Sequence, residues 1–181
     1  MQVGFSFTVN GMYAGKFSLK AVAVEARPPL CAGRTFRGIE SYKASISGLG
    51  SVSFNNESAT LELEAEGIPF DGMVGFTYTN TDASPNWTFT GELDFSEKKP
   101  VIALDASSVA DLEENLEELI LDEAELIATV TLGAEKTSFK CGKLGESVSI
   151  SYSAVFVADF GGGVIRSGKV AIKNKMVLLG P

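Results

Sequence analysis

Residues 59 to 66 read ATLELEAE, with Leu61 and Leu63 alternating against Glu62, Glu64 and Glu66. A two-residue period puts all apolar side chains on one side of an extended chain and all carboxylates on the other. No helix can do this, so the pattern constrains the fold more than any other feature. It recurs along the chain. In residues 2–9, Val3, Phe5, Phe7 and Val9 share one face, and in residues 87–95 Trp87, Phe89, Leu93 and Phe95 do the same. Strands with one apolar and one hydrophilic face belong to antiparallel sheets wetted on one side.

Turn-forming residues punctuate these runs. Asn10-Gly11 is a strong hairpin signal, and Asp71-Gly72, Asn55-Asn56, 48–50 and 161–163 are further breaks. The spacing predicts strands near 2–9, 15–25, 40–47, 51–54, 58–66, 73–80, 86–96, 124–132, 136–141, 147–158 and 164–173. The expected fold is all-β, an antiparallel β-sandwich or partly closed barrel, in a single domain spanning 1–181. A faint echo between 3–8 and 74–79 (VGFSFT and VGFTYT) has no third copy, so it does not make a repeat array.

One segment breaks the two-residue period. In SSVADLEENLEELILDEAE, 107–125, Val109, Leu112, Leu116, Leu119 and Ile120 recur at helical spacing. The sequence predicts one amphipathic helix at about 108–121. Ser107 or Ser108 is the expected N-cap, with Asp111 completing a capping box and acids suiting the positive end of the helix dipole. The segment carries eight carboxylates and no base: Asp111, Glu113, Glu114, Glu117, Glu118, Asp122, Glu123 and Glu125. The chain has 23 acids, so 15 remain elsewhere against 15 Lys and Arg; the net charge of −8 therefore resides in this segment.

A connection of opposite sign follows the expected strand at 15–25. Residues 27–43 hold Arg27, Arg34, Arg37 and Lys43 against Glu40 alone, with Pro28-Pro29 opposing regular structure. They are expected to form a long basic loop or arm.

Absences narrow the chemistry. The chain has no histidine, which removes the commonest general base and transition-metal ligand. Its two cysteines, Cys31 and Cys141, make neither a metal knuckle nor a disulfide framework. They read as reduced, mostly buried thiols, with a single long-range disulfide as the alternative. A helical acid cluster without glycine does not suit calcium, and Glu62, Glu64 and Glu66 read as a solvated strand face. Trp87, Tyr78, Tyr13 and Tyr42 could stack on sugars, but their registers place Trp87 and Tyr78 inward. No cofactor or metal is expected. A pI near 4.6 disfavours tight nucleic-acid binding, although DNA could pass along an acidic surface. No apolar run reaches the ~18 residues of a membrane span. The N-terminus lacks the features of a signal peptide, so location in a virion or host cytoplasm is expected.

These features lead to one functional expectation. The chain is read as a non-enzymatic structural subunit that self-assembles head to tail into a ring, tube or shell. A virion component such as a phage tail-tube or capsid-associated protein is its best instance. Arg27, Arg34, Arg37 and Lys43 would form a basic subunit interface. Glu113, Glu114, Glu117, Glu118 and Asp122 would line a lumen or face a neighbour. The alternative is a carbohydrate- or protein-binding β-sandwich module of a secreted or surface system.

Overall fold

The computed structural model describes residues 2–9, 12–20, 28–66, 70–82, 87–96 and 99–179, the first two segments as backbone. It is mostly antiparallel β-structure with a single helix among the described residues, and its main sheet of eight strands is nearly closed into a barrel. β1 (Gln2–Val9) and β2 (Met12–Lys20) pair as a two-stranded sheet of their own, with Val9 opposite Met12. The Asn10-Gly11 turn that the sequence proposes lies outside the described residues.

The barrel comprises β3 (Thr35–Ile46), β4 (Gly50–Leu63), β5 (Met73–Asn80), β6 (Trp87–Asp94), β7 (Val101–Leu104), β8 (Thr129–Cys141), β9 (Ser147–Asp159) and β10 (Ile165–Leu178). Its order is β7-β6-β5-β4-β3-β10-β9-β8, all antiparallel. Alternate residues fill the inside. They include Phe36 and Tyr42 of β3, Leu61 of β4, Val74 and Phe76 of β5, Phe89 and Leu93 of β6, Phe156 of β9 and Met176 of β10.

The long basic loop expected at 27–43 is corrected. Its second half is β3, a central strand starting at Thr35. Phe36, Glu40, Tyr42 and Ala44 point in, while Arg37, Ile39, Ser41 and Lys43 point out. Two inward positions hold Gly38 and Glu40, which do not look like core residues and so mask the alternation. A Cβ at Gly38 would lie 2.2 Å from the Lys175 carbonyl oxygen. Glycine is what lets β3 and β10 approach this closely.

Two expected breaks are bulges inside longer strands. Asn56 is the extra residue of β4: Glu57 pairs with Glu40 and Asn55 with Ser41. Its φ of 68° is a left-handed conformation that Asn tolerates better than most residues. In β8 the register shifts between Leu132 and Glu135, joining what the sequence divides into two strands. The short strand β7 has no counterpart among the expected strands.

The helix α1 (Ala106–Ala124) is longer than expected at both ends. Its N-cap is Asp105, not Ser107 or Ser108, and no side chain caps it. The side-chain oxygens of Ser108 and of Asp105 serve β6 instead. Ser108 Oγ accepts the Thr90 N–H at 2.8 Å, and Asp105 Oδ2 accepts the Thr90 hydroxyl at 2.7 Å. With the start at Ala106, no acid stands in the first turn, so the expected dipole support is absent.

The helix buries Ser108, Leu112, Leu116 and Ile120, one residue per turn. Leu112 joins the barrel interior beside Phe76, Phe89 and Tyr152. Leu116 and Ile120 face Ala44, Val52 and Phe156.

Candidate interaction surface

The barrel has one seam, between its end strands β7 and β8. Along it, β8 would expose a row of unpaired backbone groups. At one point β7 meets it, where the Ile102 N–H donates to Thr137 Oγ1 at 3.2 Å. Further along, the helix takes over. Glu117 Oε1 accepts the Val130 N–H at 2.8 Å, and Glu113 Oε1 accepts the Leu132 N–H at 2.7 Å. The match is geometric. Four helical residues rise about 6 Å, and two strand residues about 6.6–6.8 Å. Two carboxylates one turn apart can therefore serve two alternate amides of an edge strand.

Glu113 and Glu117 are thus engaged within the fold, not displayed. Of the acids singled out from sequence, Glu114, Glu118 and Asp122 are exposed, together with Asp111, Glu123 and Glu125. The last helical turn contains no base. Asp122 and Glu123 sit there at the negative end of the dipole, a placement that costs roughly 0.3–1 kcal/mol per charge when exposed. Packing of the apolar face offsets that cost, so the helix forms despite its carboxylates.

The basic residues are distributed differently from expectation. Arg27 lies outside the described residues. Arg34 is engaged internally, donating from Nη1 to the Gly145 carbonyl at 3.0 Å. Arg37 and Lys43 stand on the outer face of β3. There they join Lys169, Lys173 and Lys175 of β10 and Lys136 and Lys140 of β8. The rows run straight across the strands. Ser41, Lys173, Ser151 and Ser138 form one; Ile39, Lys175, Ser149 and Lys140 form the next. Among the outward positions of these four strands, Asp159 at the far end of β9 is the one carboxylate. A groove of about 650 Å³ crosses this face between Arg37, Ser138, Ser151, Lys173 and Lys175.

Sequence reasoning misses the five lysines of β8 and β10. Their signal is present: Lys173 and Lys175 fall on one side of a two-residue period, facing the serines of SVSISYS at 147–153. It is hard to read because a cluster built across strands is dispersed along the chain.

Inside the barrel lies a second hydrophilic group. Glu40, Tyr78, Asn80 and Asn174 are all buried. Tyr78 donates its hydroxyl proton to Glu40 Oε2 and accepts from Asn174 Nδ2 at 2.6 Å. Asn80 Nδ2 donates to Glu57 Oε2 at 2.7 Å and, more weakly, to Glu40 Oε1 at 3.3 Å. Burial pushes the Glu40 carboxyl up to about 7, against the Asn80 hydrogen bond and with help from the nearby Glu57 charge. The adjoining cavity, lined by Tyr78, Asn174 and otherwise aliphatic and aromatic side chains such as Leu93, Leu112, Ile172 and Phe89, measures about 40 Å³. Its wall is almost wholly apolar, which does not suit water, and the Asn174 Oδ1 is left without a hydrogen-bond partner. The cavity is far below the ~300–1,000 Å³ of a small-molecule site, so this barrel is filled by its own side chains.

No protein-family model matches the chain, and no curated protein matches it.

Three of the four aromatics weighed for sugar stacking pack in or against the core. Tyr42 and Tyr78 are buried, and Trp87 is half-buried with its ring 5.3 Å from Tyr42 and 5.4 Å from Phe89. The side chain of Tyr13 lies outside the described residues. Among the described residues, no three His, Cys, Asp or Glu cluster closely enough to hold a metal, and no helix is long and apolar enough to cross a membrane.

Proposed function

We propose that the chain is a non-enzymatic structural subunit that binds further copies of itself head to tail. The Lys- and Ser-rich face of one copy meets the acidic helix of the next. One observation carries this reading: seven cations share the outer face of β3, β10, β9 and β8, while six exposed carboxylates stand on and just after α1 with no base among them. Two different complementary patches on one molecule make a heterologous contact, which closes into rings or extends into filaments. The assembly is a ring, tube or shell of the kind virion components build, such as a phage tail tube. That step rests on architecture: a packed barrel, a flanking helix and a separate β1–β2 hairpin, whose two strands are only marginally stable unless they pack on something.

The test is the native mass by light scattering across protein concentration and salt. Assembly should be visible at low salt and weaken toward 1 M, where the Debye length is about 3 Å. Lys43→Glu with Lys173→Glu should abolish it, and Glu114→Lys with Glu118→Lys in the mixing partner should restore it. Each exposed pair contributes only ~0.2–1 kcal/mol, so the effect depends on repetition along the assembly. A 19.1 kDa species under all conditions would overturn the reading.

The groove between Arg37, Ser138, Ser151, Lys173 and Lys175 favours a second reading, a module that binds an anionic carbohydrate. In that case a sulfated polysaccharide should bind the monomer, and Lys173→Glu should abolish binding without changing its mass.

A further inference from the structure

Cys31 and Cys141 are 110 residues apart in sequence, yet the segments that carry them meet in the fold. Contacts independent of sulfur hold them there. The segment before β3 is tied down by the Gly33 N–H to the Glu64 carbonyl at 2.9 Å and by Arg34 to the Gly145 carbonyl at 3.0 Å. Gly145, in the β8–β9 turn, sits so close to Leu30 that a Cβ there would lie 2.3 Å from the Leu30 carbonyl oxygen. The two segments carrying the cysteines are therefore pressed together, backbone against backbone.

The two sulfurs differ in access. Cys31 is fully buried. Cys141 is half-buried, donates to the Gly142 carbonyl at 3.6 Å, and lines an open groove of about 450 Å³ with Lys140, Lys143 and Lys175. Both are free thiols.

We propose that Cys31 and Cys141 are a peroxide-oxidisable pair, with Cys141 oxidised first and Cys31 resolving it into an intramolecular disulfide. In the first step the Cys141 sulfur attacks one peroxide oxygen. An S–O bond forms as the O–O bond breaks, and the departing hydroxide takes the thiol proton as water. The product is a sulfenic acid, two electrons more oxidised. In the second step the Cys31 sulfur attacks the Cys141 sulfur. The S–S bond forms as the S–O bond breaks, and the hydroxyl leaves with the Cys31 proton as a second water. Two thiols and one hydrogen peroxide thus become one disulfide and two waters. Burial raises the Cys31 thiol pKa, which disfavours Cys31 as the first site of attack. The inference does not depend on the assembly reading.

The experiment uses the reduced full chain, one equivalent of hydrogen peroxide and intact mass after alkylation under denaturing conditions. The expected product is about 2 Da lighter, takes up no alkylating reagent, and yields a Cys31–Cys141 cross-linked peptide. Its melting temperature is raised, and dithiothreitol returns it to the starting value. Cys31→Ser should stop at an adduct of about 16 Da on Cys141 that a sulfenic-acid probe traps. Cys141→Ser, at the less buried position, should leave Cys31 unoxidised and alkylatable once unfolded. Wild-type chain oxidised beyond sulfenic acid at Cys141 with Cys31 still alkylatable would overturn the proposal. So would disulfide-linked dimers as the sole product, or two unreacted thiols.

Discussion

Glu117 Oε1 accepts the Val130 N–H at 2.8 Å, a helix carboxylate standing where a neighbouring strand's carbonyl would otherwise be. With Glu113 on Leu132 it completes a stretch of the β8 edge that no strand covers. Hydrogen bonds to a charged group contribute about 1.5–3 kcal/mol, less where water can replace the lost partner. Glu117→Ala and Glu113→Ala should each therefore destabilise by about 1–2 kcal/mol in urea unfolding. Their amide partners, Val130 and Leu132, should exchange hydrogen faster. Glu117→Gln retains an acceptor and should lose less. Glu118→Gln, on the exposed face, should change neither measurement.

The apolar face of the same helix should matter more. Leu116 is 1% exposed, and truncating such a leucine costs roughly 2–5 kcal/mol. Leu116→Ala should lower the unfolding free energy by that amount, while Leu121→Ala, at a 48% exposed position further along the helix, should have little effect. Equal stability for Leu116→Ala and the parent would mean that the helix does not close the barrel.

Stability should depend on pH through Glu40. Its carboxyl titrates near 7 in the fold against an ordinary value of 4.5. The native state thus holds this proton more tightly than the unfolded chain does. The stabilisation is complete below about pH 4.5 and is lost as pH rises through about 7. The shift corresponds to something on the order of 3 kcal/mol. Glu40→Gln, which resembles the protonated acid, should flatten the profile between these limits and raise stability at pH 8. An unchanged profile would place the dependence on another group.

Much of the barrel is legible in the sequence. A two-residue period is a local property, because a strand at the surface of one core must alternate wherever it runs. Hence the fold class, most strands and the inward registers of Phe89, Leu93, Leu61 and Tyr78 can be read directly. The helix is legible for the same reason, from Leu112, Leu116 and Ile120. Misreadings fall where a residue's local signal and its tertiary role diverge. Gly38 and Glu40 hide β3, and Asn55-Asn56 looks like a turn although Asn56 is a bulge in an unbroken strand. Ser108, a plausible cap, is used by Thr90.

The sequence by itself therefore determined that this chain is antiparallel β with one acidic amphipathic helix, because side-chain periodicity and charge are properties of the chain. The tertiary structure alone decided which strands are neighbours. That pairing turned lysines at 136, 140, 169, 173 and 175 into one face with Arg37 and Lys43, and brought the segment of Cys31 against the turn that follows Cys141. It also divided eight similar carboxylates into two that cap β8 and six that remain exposed. Nothing in the composition of the helix separates Glu113 and Glu117 from Glu114 and Glu118. Only the edge of β8, lying along one side of the helix, does so.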